Sequence, residues 1–319
     1  MGTPVSEDAP AARPLLPRWL QLPIAVLVVV FLVLAVASQW SKVADADLRF
    51  EPLWLVAAIP PLALYQLLQA EIALAVLRRL GHPIKPSRGR TIYGFALLAR
   101  YVPTGALVFA LRITMNEREG VPKKASSVAL VYEIALSLAG ASVAAIPLLP
   151  QVEAALLIAA VLPVAGVALL HPAPFARLTS RLLRRVGREP LDQVLPFRAV
   201  VVLVLANAVT FSLAGVSLLF TLQAITPVDA GDMVGVVAAF GLGFITGMVG
   251  FALPGGLGAR ELGLVTGLSA VIAAPIALAV AGIARLLQTG VELLYAGIVT
   301  AHDRAERRRT EKAAVTRSG

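Results

Sequence analysis

Apolar runs of about 17 to 25 residues, the length of helix that crosses roughly 30 Å of hydrocarbon, follow one another along this chain between short polar connections. The pattern predicts spanning helices near 19–38, 52–77, 125–149, 152–170, 199–223 and 276–300. Two apolar segments do not fit it. Residues 93–111 are interrupted at their centre by Arg100, Pro103 and Gly105, and residues 233–275 contain the run "FALPGGLGARE" with Pro254, Gly255, Gly256, Gly258, Arg260 and Glu261. The expected fold class is an all-α polytopic membrane protein, with about six to eight transmembrane helices plus one or two re-entrant broken helices.

The polar connections orient the chain. Residues 78–90, "RRLGHPIKPSRGR", hold five Lys or Arg and no acid, which marks the cytoplasmic side by the positive-inside rule. The connection after 93–111 is basic too, with Arg112, Arg118, Lys123 and Lys124, so both flanks of that segment read as cytoplasmic and a re-entrant hairpin fits better than a crossing. The stretch "QAITPVDAGD" has two acids and no base and reads as exterior. Residues 233–275 then either re-enter from outside or cross and return, and both alternatives leave the two termini in the cytoplasm. Residues 1–18 have no apolar period and read as a disordered cytoplasmic lead, 19–300 as one transmembrane domain, and 301–319 as a basic cytoplasmic tail. The first apolar run ends in "AVAS", with Ala35 and Ala37 spaced as at a signal-peptidase site, yet its length favours retention as a helix.

Composition sharpens this picture. Hydrophobic residues make up 58% and charged residues 15% of the chain, more apolar surface than a water-soluble domain can bury. The formal net charge of +9 sits in connections and ends, so it points to topology and not to nucleic acid. Cysteine is absent, and His82, His171 and His302 lie in polar connections or the tail, so neither disulfides nor a metal cofactor is expected. No Ser-His-Asp arrangement or phosphate loop is present, and Gly255-Gly256-Leu257-Gly258 lacks the strand and helix of a nucleotide site. No enzyme activity and no cofactor are expected.

The two breaks suggest a candidate inverted repeat. Pro103 is followed 30 residues later by Glu133, and Pro254 is followed 31 residues later by Arg285, each a charge within an apolar run. Paired interrupted segments of this kind are the sequence pointer to a transport site. Backbone groups freed by proline and glycine are tolerated at membrane depth only against protein or a watery cavity. Gly243 with Gly247 and Gly263 with Gly267 have small-xxx-small spacing and read first as helix packing positions.

Ionisable groups at membrane depth cost at least roughly 2.5 to 3.5 kcal/mol each, so each needs a partner or a cavity. Arg285, Gln288 and Glu292 share one helix face, and Glu133 shares its side with Ser126, Ser137 and Gly140. The functional reading has Arg100, Arg260 and Arg285 binding an anionic headgroup while Glu133, Glu261 and Glu292 balance or gate them. The competing reading is internal pairing, for instance Arg285 with Glu133. Glu71 reads as a near-interface acid.

Taken together, "ALPGGLGARELGLVTGL", "ARLLQTGVELL", "LLARYVPTG" and "YEIALSL" resemble the membrane region of bacterial lysylphosphatidylglycerol synthases and the stand-alone, flippase-like proteins that share it. The resemblance covers roughly residues 20–300, with its most specific part at Pro254, Gly255, Gly256, Gly258, Arg260 and Glu261 and with Arg285 downstream. Pro103-Thr104-Gly105 departs from the family's Pro-Gly, and the aminoacyl-transferase domain of the synthases is missing, so lysyl transfer is not implied. The resemblance implies translocation of an anionic lipid or lipid-linked glycan across a bacterial cytoplasmic membrane. A scaffold for a glycosyltransferase or lipid-modifying enzyme is the alternative from another class, and a lipid-modifying enzyme built on Arg260 and Glu261 is a third.

Overall fold

The computed structural model describes residues 50–99, 106–151, 171–185, 194–250 and 259–318, and every regular element among them is helical. In chain order these are α1 (Pro52–Arg79), α2 (Pro86–Ala99), α3 (Ala106–Arg118), α4 (Lys123–Ala145), a 3-10 turn (Ile146–Gln151), α5 (Pro172–Arg185), α6 (Phe197–Gln223), α7 (Met233–Gly250), α8 (Ala259–Ser269) and α9 (Ala274–Ser318). Four stretches are long and apolar enough to cross a membrane: Pro52–Arg79, Lys123–Leu148, Phe197–Gln223 and Ala274–Thr310. They coincide with four of the expected spans; those at 19–38 and 152–170 lie outside the described residues, as does the lead 1–18.

Proline sets most of the helix starts. Pro52 and Pro86 open α1 and α2, and Pro122 and Pro196 cap α4 and α6. Its fixed φ suits a first turn whose N–H has no partner in any case. Glycine closes two helices at one end of the bundle: Gly81 and Gly120 have φ of 82° and 85°. The amide of His82 donates to the carbonyl of Leu77 and that of Val121 to Asn116, each at 3.0 Å, while the Gly81 and Gly120 amides donate to Arg78 and Glu117, so each end has the paired bonds of a Schellman stop.

The bundle has two chemically different ends. At one, the amide of Glu51 bonds the carbonyl of Ala224 at 2.9 Å, and Leu148 packs with Leu222, Ile225, Val236 and Leu268. The connections gathered there, 50–51, 146–151, 224–232 and 270–273, carry Glu51, Asp229 and Asp232 and no Lys or Arg. At the other, Leu80, Val121, Phe175 and Leu195 pack together, ringed by Arg78, Arg79, Lys85, Arg118, Lys123, Lys124 and Arg177. We call these the acidic and the basic end. Helices α1 and α9 run from acidic to basic, and α4 and α6 run back.

Four of the five remaining helices form two antiparallel pairs. In α2 and α3 the outer ends meet at the basic end, where Arg88 reaches Glu119. In α7 and α8 they meet at the acidic end. The four glycines with small-xxx-small spacing seal this second pair: a Cβ added at Gly247 would lie 2.8 Å from Cβ of Arg260, one at Gly267 3.0 Å from Cβ of Ala239, and one at Gly263 would collide with Thr246. Backbone approach of this kind is what small residues permit between helices that gain nothing from hydrophobic association in lipid.

Apolar side chains cover the outside as well as the inside. Leu53, Val56, Leu64 and Leu67 on α1, Val201, Val202, Leu205 and Val209 on α6, and Leu294 and Ile298 on α9 are exposed, as surfaces facing acyl chains must be. Polar groups collect inside instead. Gln69 of α1 donates to Asn207 and Thr210 of α6 at 3.2 and 2.8 Å, and Ser137 of α4 donates to the same Asn207 oxygen. Gly140 leaves the room that Asn207 occupies.

Within residues 301–318 α9 runs on as one helix to Ser318, about 67 Å in all at 1.5 Å per residue, and Asp303 is buried against α2. Asp303 and Glu306 give this part of the helix a docking edge.

Candidate functional site

Both helix pairs build their charged sites from the same parts. The first helix of each contains an aromatic residue followed by glycine, Tyr93-Gly94 in α2 and Phe240-Gly241 in α7. The glycine seats that helix on the long helix closing the other half. A Cβ at Gly94 would lie 3.2 Å from Ala296 of α9, and one at Gly241 2.5 Å from the Ala141 carbonyl of α4. The aromatic ring lies beneath an arginine of the second helix: Arg112 of α3 is 5.4 Å from the Tyr93 ring centre, and Arg260 of α8 is 5.4 Å from that of Phe240. A guanidinium over a ring face is stabilised by the ring's quadrupole, more so when water is excluded.

In the second pair Arg260 donates to the side-chain oxygen of Gln288, whose amide nitrogen donates to Glu292 at 2.7 Å. Gln288 and Glu292 are one turn apart on α9, and Glu292 is only 1% exposed. The glutamine therefore links one arginine to one buried carboxylate. Beside this chain Glu261 faces Arg285 at 3.8 Å, a loose pair with about a quarter of each side chain open to the surroundings. Phe240 belongs to an aromatic group with Tyr65 and Phe211, which stiffens the floor under Arg260.

In the first pair the contact is direct. Arg112 grips Glu133 of α4 through two nitrogens, one of them at 2.9 Å, in a fork-to-fork arrangement that fixes both planes. Arg112 is 8% exposed, and its Nε has no hydrogen-bond partner among the described residues. Tyr93 also packs against the cluster of Ala70, Tyr295 and Val299, so α9 adjoins this site as well.

A third group of charges closes the basic end. Arg88 of α2 lies between Glu119 at 2.5 Å and Asp303 of α9 at 3.2 Å, and Arg307 approaches Asp303 at 3.2 Å. Thr91 adds a hydrogen bond to the Val299 carbonyl at 3.1 Å. Lys85 and Glu306 pair outside this knot at the surface.

Of the residues singled out in the sequence, Arg260, Glu261, Arg285 and Glu292 come together across α8 and α9. Arg100, Pro103, Gly105, Pro254, Gly255, Gly256 and Gly258 lie outside the described residues. Glu133 belongs to the other half, and its partner is Arg112; the internal pair weighed for it, Arg285, faces Glu261 instead. Arg112 itself is not part of a basic connection but sits inside α3, buried. A signal for it existed: Arg112 lies 19 residues after Tyr93, and Arg260 lies 20 after Phe240. Glu71, read as an acid near the interface, pairs with Arg90 at 2.5 Å.

Among the described residues no three His, Asp or Glu side chains gather as metal ligands. The site offers planar, permanently charged donors over aromatic rings, each beside a carboxylate or amide partner. No protein-family model matches the chain, and no curated protein does so either.

Proposed function

We propose that this protein is a lipid flippase-like transporter that moves an anionic lipid or lipid-linked glycan between the leaflets of a bacterial cytoplasmic membrane. It acts without catalysing a covalent reaction. The observation that carries the reading is the matched construction of the two halves. One helix pair has its outer end at the basic end and the other at the acidic end, and each holds an arginine over an aromatic ring against a polar partner on the next long helix. Such opposed pairs are how an inverted repeat with two re-entrant helices is built, and inverted repeats put a substrate site between two gates that open in turn. The arginines suit a phosphate, because guanidinium presents paired donors to it.

The basic end faces the cytoplasm on this reading, by the positive-inside rule, and both termini lie there. The resemblance to the membrane region of lysylphosphatidylglycerol synthases points in the same direction. Headgroups pass along the charged interior while acyl chains remain in the bilayer. One observation favours a second reading. Each of the two arginines has a partner within the protein, as it would in a scaffold that positions a glycosyltransferase or lipid-modifying enzyme.

Reconstitution separates the two. Purified protein in liposomes containing headgroup-labelled phosphatidylglycerol, or other labelled anionic lipids, is expected to exchange label between leaflets faster than protein-free vesicles. Equal rates for every lipid tried would remove the transporter reading and leave the scaffold.

A further inference from the structure

We infer that Arg112 is a phosphate-binding residue, the first-half counterpart of Arg260, and that Glu133 is a displaceable stand-in for the anion it binds. The inference rests on the transporter reading for its purpose, but it is carried by the geometry at Arg112 itself. Three observations meet there. Arg112 is 8% exposed and lies within the helix α3. Its side chain is held from two directions, by the Tyr93 ring below and by the Glu133 carboxylate at its NH1 and NH2 nitrogens. The third donor, Nε, is buried with no partner among the described residues.

A pair kept only for structure would satisfy that donor, since a buried polar atom left alone costs about 1 to 3 kcal/mol. A phosphate monoester or diester meets guanidinium through two parallel hydrogen bonds and can use the Nε edge that Glu133 leaves open. Tyr295 of α9 lies in the cluster against which Tyr93 packs, and its hydroxyl is buried without a hydrogen-bond partner among the described residues.

The headgroup of an anionic lipid and free phosphate share this chemistry, so both are tested. The full-length protein is placed in phosphatidylcholine nanodiscs, and thermal stabilisation is followed on adding inorganic phosphate at constant ionic strength. It is also compared with nanodiscs containing one-fifth phosphatidylglycerol. Glu133→Gln is expected to bind more tightly than the parent in at least one arm, because the competing charge is gone. Arg112→Lys is expected to bind roughly tenfold to a hundredfold more weakly, the loss of one charge-assisted hydrogen bond or two. Arg112→Met leaves Glu133 buried alone, so the paired variant Arg112→Met/Glu133→Leu serves as the folded control and is expected to bind in neither arm.

A response in the phosphate arm alone assigns free phosphate, and one in the lipid arm alone assigns the headgroup. Undiminished stabilisation in the paired variant, or no response of Glu133→Gln in either arm, overturns the assignment. The leaflet-exchange assay keeps the two readings apart. Exchange that survives unchanged in the paired variant sinks the Arg112 site and spares the transporter, whereas Arg112-dependent binding without any exchange does the reverse.

Discussion

The α2–α3 pair closes its outer end with charge, and the α7–α8 pair closes its own with glycine and apolar side chains. At the basic end Arg88 ties Glu119 to Asp303 across three helices. At the acidic end Gly263 and Gly267 bring two backbones together, with Leu148, Leu268 and Ala277 around them. Inside, the contrast reverses. Arg112 is bound directly to Glu133 through two nitrogens, while Arg260 is linked to Glu292 through Gln288 and Arg285 stands 3.8 Å from Glu261. Two halves of similar design thus differ in how their outer ends are held: an ionic knot can exchange its partners for water, whereas a glycine seam separates only by exposing apolar surface.

The largest expected effect tests the inner contrast. Glu133→Leu strands a buried guanidinium and is expected to cost about 3 to 5 kcal/mol, read as thermal denaturation in detergent micelles, with most of the loss recovered in Arg112→Met/Glu133→Leu. Glu261→Gln, at a quarter-exposed and loose pair, is expected to cost less than about 1 kcal/mol. Equal losses at the two sites would erase the distinction drawn between them.

Next in size is the glycine seam. Gly263→Ala pushes a methyl group into Thr246 and is expected to cost about 1 to 3 kcal/mol through overpacking. Gly94→Ala meets Ala296 and a Val299 methyl at 3.2 Å, contacts that a small shift relieves, and is expected to cost less. Gly290→Ala, with nothing within 4 Å, is the neutral control. If Gly94→Ala proves the worse of the first two, the α7–α8 pair is not the more tightly sealed.

A further variant sharpens the comparison of the ends. Arg88→Met leaves Asp303 with Arg307, so the loss is expected to be about 1 to 2 kcal/mol, near the lower range for hydrogen bonds to charged groups. Its clearer mark is access. The chain has no cysteine, so a single Asn116→Cys at the buried basic end can be labelled without background. Arg88→Met is expected to speed its modification by a water-soluble maleimide while Ala277→Cys at the acidic end stays protected. Equal acceleration at both positions would mean that Arg88 holds the whole bundle and not one end.

Much of the fold was legible in the order of residues. Runs of about twenty apolar residues marked α1, α4, α6 and α9, because a helix that crosses lipid must satisfy its backbone internally and shed charge along its length. Part of the site was legible too. Arg285, Gln288 and Glu292 share a face by helical arithmetic alone, and Arg260 with Glu261 stood out as charges within an apolar stretch. Arg112 was hidden because a basic residue near a helix end looks like topology, and only the Tyr93-Gly94 echo of Phe240-Gly241 betrayed it. The partner of Glu133 was out of reach for another reason: several arginines were compatible with it in charge, and spacing along the chain does not rank them.

What the sequence determined by itself is the solvent of this protein and the grammar of its helices: apolar length, charge asymmetry between connections, and the places where backbone and charge interrupt both. Tertiary structure alone decided which charges meet. Arg112 with Glu133, Arg260 with Gln288, and Arg88 with Asp303 join positions 21, 28 and 215 residues apart. Such contacts depend on which helix lies beside which. Here that is set by the close seating of Gly94 on Ala296, Gly241 on Ala141 and Gly263 on Thr246, packing that acts over ångströms between segments remote in the chain.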